Sequence, residues 1–97
     1  MKKKNKIVLL NTEPDKKFWL TDGRVIKNLF ELSRAFEEMS EQTYSHHAND
    51  AKNDFSNWVS GVFNEQRLAK RLGEARTKEQ SQVAVLKHLV SVKSLKR

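Results

Sequence analysis

The stretch that decides the fold is Phe55-Ser56-Asn57-Trp58-Val59-Ser60-Gly61-Val62-Phe63. Its apolar residues fall at positions i, i+3, i+4, i+7 and i+8, which is the spacing of one buried stripe on an α-helix. We therefore predict a central helix here, with Asn53 or Asp54 at its start. Gly61 weakens a helix by about 1 kcal/mol relative to Ala, so we expect another backbone to pack closely against it.

Two helical patterns precede this central helix. The first has apolar residues at helical spacing, namely Leu29, Leu32, Phe36 and Met39. Asn28 can cap that helix, and Glu31 three residues later completes a capping-box pattern. A shorter helix is predicted over residues 40–48, with Ser40 as its N-cap.

Two further helices are predicted after the central one. Asn64 can cap a fourth helix, and Gly73 suits the left-handed position that ends a helix. Thr77 and Gln80 form another capping-box pattern, which opens a last helix from Lys78 to about Leu95.

The N-terminal part has the pattern of a small β-structure. Asp22-Gly23 separates two β-forming runs, and this dipeptide favours a type I′ hairpin turn. The run Ile7 to Leu10 indicates a short strand or an ordered arm. The predicted fold class is therefore mainly α, a compact bundle of about five short helices with a small N-terminal β-hairpin.

The composition limits the class of protein. A chain of 97 residues with 37% hydrophobic content is expected to form one domain. The absence of cysteine excludes disulfides and thiolate metal sites, and fits a cytoplasmic protein. The apolar run Ile7 to Leu10 is too short for a signal peptide, and we expect no membrane association.

The excess positive charge lies in the two ends of the chain. The net charge is +7, yet the stretch from Ile7 to Val92 holds 12 basic and 12 acidic residues. We therefore divide the chain into a basic tail (1–6), a single helical domain with its hairpin (7–92) and a basic extension (93–97). The residues with which these ends could contact phosphates are Lys2, Lys3, Lys4, Lys6, Lys93, Lys96 and Arg97.

The polar stretch between the second and third helices has three interpretations. His46 and Asp50 could share a helix face as metal ligands, although the spacing matches no established motif. His47 and Asp54 could form an acid–base pair, although no activated nucleophile accompanies them. The favoured interpretation is a structural polar corner formed by His47, Asn49, Asn53 and Asp54. Asn49 is expected to end the second helix in the left-handed conformation, Asn53 and Asp54 to cap the third, and His47 to bridge the turn. We accordingly predict no catalytic residue, no metal, no cofactor and no small-molecule substrate.

The last helix has apolar residues over about half of its circumference, which is wider than the stripe of an ordinary surface helix. One interpretation is that the helix crosses the domain and is buried on two sides. The other is a second apolar face, formed by Val85, Leu89 and Val92, that binds a protein partner or a second copy of the chain.

Several short motifs resemble an uncharacterised bacterial and archaeal domain family of unknown function. They are an aromatic strand and glycine turn (Phe18-Trp19, Asp22-Gly23), Leu29-Phe30-Glu31-Leu32, Tyr44-Ser45-His46, Asn53-Asp54-Phe55 with Trp58, and Leu68-Ala69-Lys70-Arg71-Leu72. The resemblance spans residues 18–72 and implies a small, mostly helical module. It implies no activity and no catalytic residue.

Two functions fit these observations. The first is a non-catalytic helical interaction module, either an accessory or an adaptor, whose protein partner is unidentified. The second is a nucleic-acid- or ribosome-associated protein that binds phosphates through its lysine-rich ends without sequence specificity.

Overall fold

The computed structural model describes residues 11–95, and for residues 93–95 it describes the backbone alone. In chain order the elements are a 3-10 turn (Pro14–Lys16), β1 (Phe18–Trp19), β2 (Val25–Ile26), α1 (Leu29–Glu38), α2 (Glu41–His47), α3 (Asp54–Trp58), a π-helical turn (Val59–Phe63), α4 (Gln66–Glu74) and α5 (Lys78–Leu95). The predicted class, a mainly α bundle of five helices with an N-terminal hairpin, is confirmed. The strand or arm predicted at Ile7 to Leu10 lies outside the described residues.

The hairpin pairs β1 with β2 in antiparallel register, but its turn differs from the predicted one. The Leu20 N–H donates to the Arg24 carbonyl at 2.9 Å, and the Gly23 N–H donates to the Leu20 carbonyl at 3.0 Å. Gly23 has a φ of 99°, whereas φ at Asp22 is not positive. A type I′ turn needs positive φ at both central residues, so that prediction is wrong. The loop is a type I turn followed by a left-handed glycine.

Helix α1 begins as its sequence predicts. The Asn28 side chain accepts a hydrogen bond from the Glu31 N–H at 2.7 Å, and a Glu31 carboxylate oxygen accepts from the Lys27 N–H at 2.8 Å. The first bond satisfies a backbone donor of the first turn, and the second satisfies the N–H of Lys27, which precedes the cap. The four predicted apolar positions, Leu29, Leu32, Phe36 and Met39, are all buried.

The central helix begins at Asn53, whose side chain accepts from the Ser56 N–H at 2.9 Å. After Trp58 the helix widens into the π-helical turn, which ends at Asn64 with a left-handed φ of 55°. Asn64 therefore ends this helix and does not cap the next one. The prediction failed because the same residue type favours both N-caps and left-handed ends.

Both helical glycines also differ from expectation. Gly73 lies inside α4, which ends one residue later with Ala75 in an extended conformation at the C-cap. A Cβ atom added at Gly61 would meet no described atom within 4 Å apart from the adjacent residues and the backbone of its own helix. The expected close approach of another backbone is therefore absent from the described residues.

Helix α5 lies along the domain and packs most extensively against α1, with a smaller contact to α4. The Thr77 hydroxyl accepts from the Gln80 N–H at 3.0 Å, as the capping pattern predicts. The Tyr44 hydroxyl of α2 and the Ser81 hydroxyl of α5 are buried and lie 3.0 Å apart, at hydrogen-bond distance.

An aromatic cluster forms the centre of the core, with Phe55 of α3 in its middle. The Phe55 ring stacks on Phe18 with 5.1 Å between ring centroids and on Tyr44 with 5.9 Å, and it meets Phe36 edge-on at 4.9 Å. Trp58 extends the cluster, and its indole N–H donates to the Lys16 carbonyl at 2.7 Å. The hairpin and the helices thus share one core.

Between residues 11 and 95, the helices are all too short or too polar to cross a lipid bilayer. The predicted domain boundaries stay predictions, because the described part contains neither the tail nor most of the extension.

Candidate functional site

The predicted polar corner joins α2 to α3, and His47 lies at its centre. The buried ring places Nδ1 3.0 Å from Asp54 Oδ2, and its Nε2 accepts a hydrogen bond from the Thr21 N–H at 3.1 Å. Since Nε2 is an acceptor, the ring proton is carried by Nδ1, which donates to the carboxylate. His47 therefore connects the hairpin loop to the first turn of α3.

The His47 ring is also part of the aromatic core. Its centroid lies 5.2 Å from the ring of Phe18 and 5.5 Å from that of Phe55, and the residue is only 5% exposed. The neighbouring His46 is exposed and contacts the His47 ring edge-on. The two adjacent histidines thus have different environments.

Asn49 shapes the turn that separates the two helices. Its side chain donates to the Ser45 carbonyl at 2.9 Å and accepts from the Ala51 N–H at 2.9 Å. Its backbone N–H donates to the Lys52 carbonyl at 2.8 Å. We expected Asn49 to adopt the left-handed conformation, and this is wrong, because φ at Asn49 is not positive and α2 ends in an extended Ala48.

Asn53 connects the corner to a third helix. Besides capping α3, its side-chain NH2 donates to the Leu72 carbonyl at 3.0 Å, near the end of α4. One amide side chain therefore satisfies a backbone donor of one helix and a backbone acceptor of another.

The charges at the corner stabilise the ionised carboxylate of Asp54. Partial burial alone would raise the pKa of Asp54, but the hydrogen bonds from Lys52 and His47 and the positive charge of Lys52 outweigh burial, and the pKa is lowered. The Lys52 ammonium lies 2.8 Å from Asp54 Oδ2. The carboxylate stays charged and bonded at neutral pH.

The polar atoms of the His47–Asp54 pair are bonded within the corner. Both nitrogens of His47 are engaged, and no serine or threonine hydroxyl is hydrogen-bonded to them among the described residues. An open groove of about 630 Å³ lies beside the corner, between residues 48–53 and 73–76. Its charged lining alternates in sign, with Asp50, Lys52, Glu74 and Arg76.

The part of the chain that the structure describes contains no group of three or more His, Asp or Glu side chains arranged to hold a metal ion. The interpretation of His46 and Asp50 as metal ligands therefore gains no support from the geometry.

The predicted partner face on the last helix is wrong. Val85, Leu89 and Val92 are 0%, 3% and 5% exposed and belong to the core. These positions recur every three to four residues, so they form the single stripe with which α5 covers its neighbours. Their apolar character is explained by packing within the domain.

A different set of apolar side chains on α5 faces outward. Val83, Leu86 and Val90 are 48%, 44% and 63% exposed. We call these three residues the outward face of α5. The sequence contains the signal for it, because the three lie on the opposite side of the helix once the buried stripe is known.

Two exposed aromatic residues were also missed. Trp19 of β1 is 67% exposed and Phe30 of α1 is 46% exposed. Trp19 lies in a strand of two residues, in which alternation cannot decide which side is buried. Phe30 lies beside the apolar stripe of α1, so the helical spacing contained the signal for its exposure.

A second histidine–carboxylate pair lies between the start of α4 and α5. His88 Nε2 is 3.2 Å from Glu65 Oε1, yet this buried nitrogen has no hydrogen bond of good geometry among the described residues. Burial lowers the pKa of His88, and Arg71 and Arg67 act in the same direction, while the Glu65 carboxylate opposes them. The sequence contained a signal for this pair, because His88 lies between Val85 and Val92 on the buried side of α5.

The basic ends are mostly beyond the described residues. Lys2, Lys3, Lys4, Lys6, Lys96 and Arg97 all lie there, and Lys93 is described only as a backbone position in α5. Their predicted contacts with phosphates stay predictions.

Comparison of the chain with protein-family models, curated proteins and solved structures gives no match. The resemblance to an uncharacterised domain family therefore stays a prediction from its motifs.

Proposed function

We propose that this chain is a non-catalytic interaction module that binds a protein partner through the outward face of α5. The observation that carries the proposal is the row of three exposed apolar side chains, Val83, Leu86 and Val90. Trp19 on the hairpin offers a second exposed apolar surface.

The spacing of the outward face suits a helical partner. The three residues follow one another at i, i+3 and i+7, which is the pattern of anchors that an apolar groove or a second helix recognises. Full burial of a valine or leucine side chain contributes about 1.5 to 3 kcal/mol. Because each side chain is already partly covered, the three together support a transient complex.

The chemistry of the corner supports a non-catalytic role. His47 and Asp54 use their polar atoms on each other and on backbone and Lys52 groups. A general base must reach a substrate proton, and this buried ring reaches only its own neighbours.

The test compares two variants of the full chain as baits for binding proteins. Val90→Glu places a charge in the outward face, whereas Ser91→Glu adds the same charge to an exposed position of the same helix, outside that face. A partner retained by the wild type and by Ser91→Glu but lost by Val90→Glu supports the proposal. Unchanged binding to Val90→Glu contradicts it.

The sequence favours nucleic-acid binding as a second candidate function. The observation that supports it is the net charge of +7, which is concentrated in residues 1–6 and 93–97, whereas residues 7–92 carry equal numbers of basic and acidic side chains. Each phosphate contact steepens the salt dependence of duplex binding by about 0.9 on a log-log plot. Replacing the seven basic residues at the ends by glutamine should abolish binding to RNA and DNA at low salt, and unchanged binding contradicts this function. For either function we propose a cytoplasmic location, in accord with the cysteine-free sequence.

A further inference from the structure

Strand β2 has two edges, and only one of them is paired with a strand among the described residues. The Leu20 N–H donates to the Arg24 carbonyl at 2.9 Å, so the backbone groups of positions 24 and 26 face β1. Because these groups alternate along an antiparallel strand, the N–H and C=O of Val25 and Lys27 point to the opposite edge. Such an open edge is a template to which another strand can add.

The start of the described chain already lies on this open edge. The Thr12 N–H donates to the Lys27 carbonyl at 2.7 Å. Next to it, the Asn28 side-chain NH2 donates to Asn11 Oδ1 at 2.7 Å. A segment that occupies the edge and ends at Thr12 runs towards Lys27, as β2 itself does, and is therefore parallel to β2. Residues 13–24, which include β1, supply the long connection that two parallel strands need.

A groove of about 410 Å³ lies beside the same edge, between β2 and α1. Its apolar lining includes Ile26 of β2 and Phe30 and Ala35 of α1. Phe30 is 46% exposed, so part of its ring offers apolar surface to the groove. A strand added to the edge would cover this ring with the side chains of its inner side.

The four residues before Asn11 have the composition of such a strand. The run Ile7-Val8-Leu9-Leu10 is apolar throughout, and two of its four residues are β-branched. The Thr12 hydroxyl oxygen is buried, which identifies the inner side of the chain at this point. Since side chains alternate along a strand, positions 8 and 10 share that inner side, and positions 7 and 9 lie on the outer side.

From these observations we infer that residues 7–10 of this chain bind to the open edge of β2 as a third, parallel strand. The segment is joined directly to Asn11, which is already in place, so its effective concentration at the edge is in the millimolar range or above. A strand from another molecule would have to displace it. The inference concerns a different surface from the outward face of α5 and does not depend on the proposed function.

The bond between Thr12 and Lys27 sets the register of the third strand. Two residues back along both strands, the Leu10 N–H donates to the Val25 carbonyl, and the Val25 N–H donates to the carbonyl of residue 8. Position 9 then lies opposite Val25 on the outer side of the sheet. The Lys27 N–H is bonded to a Glu31 carboxylate oxygen at 2.8 Å, so the ladder ends at that residue.

The first experiment tests this register by cross-linking the full chain, whose sequence contains no cysteine. Neighbouring strands lie about 4.8 Å apart, which a disulfide can span, so Leu9→Cys with Val25→Cys should form a disulfide within one chain. In the matched control, Leu10→Cys with Val25→Cys, the two side chains lie on opposite sides of the sheet and should not cross-link. Non-reducing electrophoresis and mass spectrometry measure both. Equal cross-linking of the two pairs, or a disulfide between two chains, overturns the inference.

The second experiment measures hydrogen exchange of the Val25 amide by NMR in the full chain. In the wild type this amide is expected to be protected, because its N–H is bonded to the third strand. Leu10→Pro removes the donor to the Val25 carbonyl and should accelerate this exchange by about tenfold or more. Leu9→Pro removes an N–H that points away from β2 and should leave the rate close to that of the wild type. A wild-type Val25 amide that exchanges like an unprotected one overturns the inference.

The third experiment tests the packing of the strand on the groove. Leu10→Glu places a charge on the inner side, beside the ring of Phe30, and should lower the melting temperature by about 4 to 8 °C. The matched control is Leu9→Glu, which places the same charge on the outer side and should lower it much less. Thermal unfolding followed by circular dichroism measures both. Equal melting temperatures for the two variants would show that the inner side of residues 7–10 does not cover the groove.

Discussion

Two histidines, the buried His47 and the largely buried His88, each lie beside a carboxylate, and their environments differ in one respect. His47 has a partner of good geometry on each ring nitrogen, Thr21 N–H on one side and Asp54 on the other. His88 lies 3.2 Å from Glu65, but its Nε2 has no hydrogen bond among the described residues. A neighbouring carboxylate therefore does not by itself make a buried histidine well satisfied; the directions of the donors and acceptors decide.

The two pairs consequently shift their pKa values in different ways. The pKa of Asp54 is lowered because bonds to its charged form outweigh the effect of burial. The pKa of His88 is lowered because burial, helped by two arginines, disfavours its charged form. The corner stabilises a charge, whereas the second pair favours a neutral imidazole.

Removal of the His47 side chain is expected to lower the free energy of unfolding more than any other change considered below. His47→Ala leaves the Thr21 N–H without its partner and opens a space beside Phe18 and Phe55, and we expect a loss of about 3 kcal/mol in the free energy of unfolding. Urea denaturation measures it. The matched control is His46→Ala, an exposed neighbour, which should change stability by less than about 0.5 kcal/mol. Equal unfolding midpoints for the two variants would falsify the structural role of His47.

Replacement of the second pair by apolar residues is expected to act in the opposite direction. The double variant Glu65→Met with His88→Leu removes a pair in which His88 Nε2 is buried without a hydrogen bond among the described residues, so the protein should be as stable as the wild type or more stable by about 1 kcal/mol. The comparison variant, His47→Leu with Asp54→Leu, should be destabilised. Loss of stability in the first double variant would mean that the His88–Glu65 contact is stabilising.

The two pairs should lose their contributions to the free energy of unfolding in different pH ranges. Because the folded state holds the pKa of His88 below its ordinary value of 6.5, the unfolded state binds more protons, and stability is lost as pH falls below about 6.5. His88→Leu should reduce this slope in urea titrations at a series of pH values. The contribution of Asp54 is present above its ordinary value of 3.8 and is lost as pH falls below it, through the lower pKa of the folded state. A slope near pH 6 that is unchanged in His88→Leu would assign it to another group.

The smallest effect is expected at the exposed edge of the corner. Lys52→Ala removes an ion pair whose lysine side chain is 42% exposed, and we expect a loss of about 0.2 to 1 kcal/mol at low salt, less at high salt. Denaturation at two salt concentrations measures it. A loss as large as that of His47→Ala would show that the ammonium, rather than the ring, holds the corner together.

The sequence predicted those parts of the fold that depend on local chemistry. The caps at Asn28, Ser40 and Thr77 bond as their residue types suggest, because the donor and acceptor lie within four residues of each other. Apolar spacing and capping residues together located the five helices, because both are local patterns.

The errors arose where tertiary packing decides between local alternatives. Asn64 suits both the N-cap of a helix and the left-handed residue that ends one. In the structure it ends the π-helical turn, with a left-handed φ. Val85, Leu89 and Val92 could be placed inside or outside only once the positions of α1 and α4 were known. In the corner, the residues that come together were predicted, but the link from His47 to Thr21 joins positions 26 residues apart, which no local pattern contains.

The packing of α5 against α1 has a consequence for the synthesis of this protein. The buried side of α1 is covered by a helix that begins 40 residues after α1 ends. The ribosome synthesises a chain at about 5 to 20 residues per second, so the buried side of α1 stays exposed until α5 has been synthesised. The hairpin and the corner can form early from nearby segments, but the complete core closes last. During this interval the growing chain exposes apolar surface, which favours aggregation.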